Sequence, residues 1–212
     1  MSKTVCTKIP VLCMVVGLFA LSVASAAPTL QNGDFSGGLT GWTVEYGTVT
    51  DGGGYALFQE DTSSLSSTLS QVFNLPVGSQ TLSFERVMTS GGSPTFVSWP
   101  DTFTASLLDP LTFDPLIANP GVTEFYSLDN LGNETTVGLV AGNTVTLDVS
   151  ALAGKDVFLS FDLWGGDDGM STIVKLDNVN VSGVSVVPVP GALLLGFIGT
   201  SLVGWLRRAK KI

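Results

Sequence analysis

Two kinds of side chain in this sequence offer chemistry to a partner: carboxylates and aromatic rings. The chain carries 18 Asp and Glu and no histidine. Without an imidazole, Ser-His-Asp triads, Cys-His dyads, His-ligated zinc and histidine proton shuttles are all excluded. Asp167 and Asp168 stand side by side in Gly165-Gly166-Asp167-Asp168-Gly169. Adjacent acids repel unless a cation or water separates them, so this loop is a metal candidate. Ordinary turn chemistry accounts for the same residues, and the spacing is neither that of an EF-hand nor that of a nonapeptide calcium repeat.

An aromatic face suits the apolar face of a sugar ring. Candidate platforms are Tyr46, Tyr55, Phe96, Trp99 and Trp164. Trp99 precedes Pro100 between two expected strands, and Trp164 abuts the acidic loop. Both positions are loop positions, where binding groups concentrate. Trp42, Phe84 and Phe161 are expected to fill the core instead. A glycoside hydrolase needs only two carboxylates at the right separation. No nucleophile elbow, phosphate loop or cofactor fingerprint accompanies the acids, however, and binding without catalysis is the expectation.

The elements that must position these groups read as strands. Thr81–Val87, Thr144–Val149, Val157–Leu163 and Thr172–Val181 alternate apolar and polar residues, the pattern of half-buried antiparallel strands. Gly52-Gly53-Gly54, Pro76-Val77-Gly78, Gly91-Gly92-Ser93-Pro94 and the Gly165–Gly169 loop punctuate them. Many short strands at this spacing predict an all-β fold, a single jelly-roll-type β-sandwich over residues 27–183. This part holds all 18 acids but only Arg86, Lys155 and Lys175, a balance of −15. Nucleic acid is a poor partner for such a surface, because phosphate neutralisation needs Lys and Arg.

The two ends read as addresses. Lys3 and Lys8, the uncharged run Val11–Leu21 and the small residues Ala24-Ser25-Ala26 form a secretory signal over residues 1–26, with cleavage at Ala24/Ala26. Cleavage there removes Cys6 and Cys13, leaving no disulfide or thiolate site. At the other end, Gly191–Leu206 is uncharged and Arg207, Arg208, Lys210 and Lys211 follow. Sixteen helical residues reach about 24 Å, slightly short of a bilayer core of about 30 Å. The basic tip sets the C-terminus inside and the body outside. The run VPVPGALLLGFIGTSLVGWLRR, residues 187–208, resembles a PEP-CTERM sorting signal, with Pro188-Val189-Pro190 in place of Pro-Glu-Pro. The resemblance implies a transmembrane sorting helix over 191–206 within a 184–212 signal. It also implies an exosortase-type partner acting near Pro188, Pro190 and Gly191 with Arg207 and Arg208 as recognition groups, transient residence in the inner membrane, and a final place at the cell surface or outside it.

The body carries a second resemblance. Asn32-Gly33-Asp34-Phe35 followed by Gly41-Trp42, and the closing Lys175-Leu176-Asp177-Asn178-Val179, are similar to the first and last segments of galactose-binding-like and carbohydrate-binding jelly rolls. The resemblance implies that these segments are neighbours, that a structural Ca²⁺ sits between them, and that Asp34 and Asp177 serve it. Ca²⁺ takes six to eight oxygens, many from backbone carbonyls, and an Asn- and Gly-rich loop supplies such carbonyls. Turn capping by Asn and Asp is the competing reading. The expectation is therefore an exported surface or matrix protein that binds exopolysaccharide or another surface glycan through Trp99, Trp164 and Tyr46. A purely structural matrix or protein-interaction role is the alternative, and a polysaccharide-processing enzyme stands third.

Overall fold

A computed structural model of the chain describes residues 29–60, 65–91, 100–165 and 171–183. They form two antiparallel sheets and no α-helix. Sheet one runs in the order β1 (Thr43–Tyr46), β4 (Ser66–Asn74), β12 (Asp156–Trp164), β6 (Thr102–Leu108), β8 (Tyr126–Asp129), β9 (Glu134–Thr136), with β7 (Pro115–Ile117) paired to β6. Sheet two runs β10 (Leu139–Ala141), β11 (Thr144–Asp148), β5 (Ser79–Gly91), β13 (Ser171–Gly183), β3 (Ala56–Gln59), β2 (Thr48–Asp51). The all-β sandwich expectation holds, and the four alternating runs read from the sequence lie in β5, β11, β12 and β13.

Period-two alternation puts one parity of each strand into the space between the sheets. Val157, Leu159, Phe161 and Leu163 of β12 are fully buried, as are Val174 and Leu176 of β13. Phe161 sits at the centre, with ring centroids 5.0 Å from Phe84 of β5, 6.0 Å from Trp42 and 6.1 Å from Phe103 of β6. Trp42, Phe84 and Phe161 are therefore core residues, as expected. Edge-on, tilted and stacked ring contacts of this kind, with Phe84, Trp42 and Phe103 respectively, add to area burial and fix how the two sheets register on each other.

The chain passes from sheet one to sheet two at Gly47, between β1 and β2. Gly47 has φ 65°, and a Cβ there would lie 2.2 Å from the Ser66 carbonyl oxygen, so a side chain does not fit. The N-terminal segment closes on the last strand. Val179 N donates to Gly33 O at 2.8 Å, beside a bulge where Asn178 adopts φ 51°. The expectation that Asn32–Phe35 and Lys175–Val179 are neighbours is met.

A polar network centred on Arg86 bridges the sheets. Arg86 belongs to the inward parity of β5 and is 7% exposed. Its Nε donates to the Tyr126 hydroxyl on β8, its Nη2 to Glu134 Oε1 on β9, and its Nη1 to Gly142 O at 3.2 Å. Tyr126 in turn donates to Glu134 at 2.7 Å. Burial pushes Glu134 upward, but the hydrogen bonds from Arg86 and Tyr126 and the Arg86 charge outweigh it, and its pKa lies below the ordinary glutamate value. A depressed acid stabilises the fold above its unfolded pKa and loses that share as pH falls through the lower folded value. Replacing Arg86 by Met should cost about 3 kcal/mol, because it leaves the Glu134 charge without its cationic partner. Urea unfolding should show this loss at neutral pH and a flatter acid limb in the variant; an unchanged midpoint would show that the network does not hold the sheets together.

Candidate functional site

The outward parity of β12 is Phe158, Ser160, Asp162 and Trp164. Register places Thr68 of β4 and Thr104 of β6 on either side of Asp162, and Ser70 and Ser106 on either side of Ser160. All of these side chains except Ser70 line a groove across sheet one, seen as two adjoining hollows of about 450 and 410 Å³ that share Phe158, Ser160, Asp162 and Trp164. Small Ser and Thr side chains keep the floor low, while larger groups rise around it.

The rim is aromatic. Trp164 ends β12 and is 55% exposed; Tyr46 ends β1, at the Gly47 turn, and is 66% exposed. Both line the same hollow, together with Phe113. Phe113 is held in place by its loop: Asp109 Oδ1 accepts from Leu111 N at 2.8 Å and Thr112 N at 3.1 Å, and Phe113 N donates to Asp109 O. Those backbone bonds also lower the Asp109 pKa. The Phe113 ring meets Phe158 edge-on at 5.4 Å.

The floor holds a carboxylate. Asp162 accepts from the Thr68 hydroxyl at 2.6 Å on one oxygen and from the Ser160 hydroxyl at 2.9 Å on the other. Burial raises its pKa, and these two bonds only partly oppose the shift. Glu45, which accepts from Ser70 at 2.8 Å, and Glu124 also line the groove. The chemistry available is stacking against flat apolar faces plus hydrogen-bond acceptance from hydroxyl or amine donors.

Of the residues singled out in the sequence, Trp164 and Tyr46 come together here. Asp34 lines a different hollow, of about 600 Å³ over the outer face of sheet two, with Glu85, Asn178 and Asn180; no aromatic ring lines it. Larger volume alone does not make that hollow the better site for a ring-shaped ligand, since it lacks a flat apolar platform. Asp34 Oδ1 accepts from the Ser36 hydroxyl at 3.0 Å, and Asp177 Oδ1 from Asn178 N at 2.6 Å. Among the described residues no three His, Cys, Asp or Glu gather as a metal set. A Ca²⁺ beside Asp34 and Asp177 would have to take most of its six to eight oxygens from backbone carbonyls. Tyr55 lies under Lys175 Nζ, 5.0 Å from the ring centroid.

Trp99, Asp167 and Asp168 lie outside the described residues, as do Ala24, Ala26, Pro188, Pro190, Gly191, Arg207, Arg208 and the 191–206 segment. Among the described residues no helix is long and apolar enough to cross a membrane. Asp162, Glu45, Thr68, Ser160 and Phe113 were not singled out from the sequence. For Asp162 and Ser160 the available signal was the alternation of β12, whose outward residues read equally well as a solvated face.

No family model matches the chain, and no curated protein matches it. Among solved structures it is similar to TmCBM61 in complex with β-1,4-galactotriose, at 15% identity and a TM-score of 0.43, over 74% of this chain and 98% of that one. It is similar to a structure of CBM4 at 14% identity and a TM-score of 0.39, over 70% and 99% of the two chains. A third likeness is to the enzymatically active domain of tailspike protein 4 of bacteriophage CBA120, at 12% identity and a TM-score of 0.41, over 74% of this chain but 21% of that one.

Asp162 carries a cost that can be measured. Its folded pKa is raised, so the group favours folding below the ordinary aspartate value and that contribution is lost as pH rises through the folded value. Asp162→Asn should therefore stabilise the protein at neutral pH by about 1 kcal/mol, with the gain shrinking in acid. Urea midpoints of the two proteins across that range decide it, and a destabilised variant at neutral pH would contradict the assignment.

Proposed function

We propose that this protein is a glycan-binding domain, and that the groove on sheet one is where a polysaccharide chain lies. The observation that supports the reading is the joint presence of Tyr46 and Trp164, both exposed, on the rim of one hollow whose floor is Asp162, Ser160 and Thr68. Exposed rings cost solvation, and a partly buried acid costs stability; both are accounted for by a ligand that stacks on the rings and donates to the acid. Sugars do both with one pyranose. Binding rather than turnover is the activity proposed.

The export and sorting reading belongs to the same proposal. Residues 1–26 direct the chain outward, and an exosortase-type enzyme recognises the segment ending in Arg207 and Arg208 and cuts near Pro188–Gly191. The domain is then delivered to the cell surface or the extracellular matrix. A structural Ca²⁺ beside Asp34 and Asp177 is the further part, tested by whether Ca²⁺ raises the melting temperature and EDTA lowers it.

Pull-down of the purified full-length protein on a panel of insoluble and soluble polysaccharides tests the central claim. Trp164→Ala or Tyr46→Ala should weaken retention by about 30-fold, the size expected when an aromatic anchor worth about 2 kcal/mol is truncated. Stability should hardly change, because both side chains are exposed and surface substitutions shift it by about 0.5 kcal/mol or less. No retention on any polysaccharide would favour the matrix or protein-interaction role, and release of new reducing ends would favour a processing enzyme. For sorting, replacing Arg207 and Arg208 by Gln should leave unprocessed precursor in the membrane; normal processing would remove the tail from the proposal.

A further inference from the structure

The groove has a charge as well as a shape. Its carboxylates are Glu45, Asp162 and Glu124, and no Lys or Arg stands among the described lining residues. The three acids come from different elements: β1, β12 and the loop before β8. Each is held by neutral donors alone in the bonds seen here. Asp162 takes the hydroxyls of Thr68 and Ser160, Glu45 that of Ser70, and Glu124 the amide and hydroxyl of Thr123. Between the sheets Glu134 faces a cation, Arg86. Among the described lining residues the groove carboxylates face none.

A carboxylate accepts two to four hydrogen bonds, and Asp162 has one hydroxyl donor on each oxygen, so accepting capacity remains on both. Burial disfavours its charged form, and a cation arriving in the groove reverses that penalty. The same cation is attracted to the faces of Tyr46 and Trp164. A uronate or sulfate group meets the opposite conditions: three like charges and no donor cation.

Resting on the glycan-binding reading, we infer that the ligand of this groove is a polysaccharide bearing free amino groups, its ammonium groups facing Asp162 and Glu45 while its rings stack on Trp164 and Tyr46. Charge complementarity selects the amino sugar over its neutral and anionic counterparts.

Acetylation supplies a matched pair of probes, because it removes the positive charge and keeps the sugar backbone. Affinity of the full-length protein for glucosamine oligomers and for the same oligomers fully N-acetylated is to be measured at low and high salt. The amine form should bind about tenfold more tightly or better, the difference expected of a charge-assisted over a neutral hydrogen bond. That advantage should shrink as salt screens it. A polymer of positive charge also adheres to any acidic protein, so two double variants with the same charge change are compared. Glu45→Gln with Asp162→Asn should remove the preference for the amine form. Glu85→Gln with Asp148→Asn, on sheet two, should leave it intact. Equal binding of amine and acetylated forms, both lost in Trp164→Ala, would overturn the charge assignment and leave the glycan groove standing. Preference removed equally by both double variants would mean diffuse attraction and would also overturn it. Retention of neither form, nor of any neutral glycan, would overturn both readings together.

Discussion

The fold and the groove both depend on the parity of β12. Its odd residues, Val157, Leu159, Phe161 and Leu163, fill the space between the sheets, and its even residues, Phe158, Ser160, Asp162 and Trp164, form the groove. A slip of one residue would exchange the two sets, sending Asp162 into the core and Phe161 into solvent. Two things forbid it. The strand is hydrogen-bonded along its length to β4 on one side and to β6 on the other. The Phe161 ring is also gripped by Trp42, Phe84 and Phe103 from three separate elements. Packing on one face thus positions the chemistry on the other, and the groove inherits the rigidity of the core.

The same strand shows what the amino-acid order made legible. Alternation in Val157–Leu163 marked the strand and its buried parity, and Trp164 stood out as an aromatic at a strand end. Asp162 and Ser160 did not stand out, because an outward polar residue is the ordinary solvent-facing half of that alternation. Only the pairing order, with β4 and β6 as flanks, shows that these residues lie at the bottom of a hollow and not on a flat face. β4 itself was harder still. Its sequence, Ser66-Ser67-Thr68-Leu69-Ser70-Gln71, has the composition of a loop, yet Ser67, Thr68, Ser70 and Gln71 are buried. They have long-range partners: Ser67 donates to Gln59 O, Thr68 to Asp162 and Gln71 to Gln31 O. Hydrogen bonds spanning up to 94 residues carry no local signature. Phe113 was invisible for a similar reason, since its place depends on how the Asp109 turn folds over sheet one.

Arg86 and Asp162 have different kinds of partner. Arg86 and Glu134 neutralise each other between the sheets, with Tyr126 completing the network, and that arrangement helps tie sheet two to sheet one. Asp162 is given hydroxyl donors only. Asp101, fully buried, likewise takes a hydroxyl from Thr172 and an amide from Asn130.

The closure of the N-terminal segment on β13 has a mechanical side. β13 is hydrogen-bonded to β5 on one flank as far as Gly183, whereas β3 holds the other flank only over Ile173–Leu176. The Gly33–Val179 contact adds a third hold on it. The groove is on the opposite sheet. A pull applied between Gly183 and the sheet-one groove would therefore run through the whole thickness of the sandwich. It would load the β5 bonds of Asn180–Gly183 first, then the Gly33–Val179 contact, and only after these the stretch that β3 also holds.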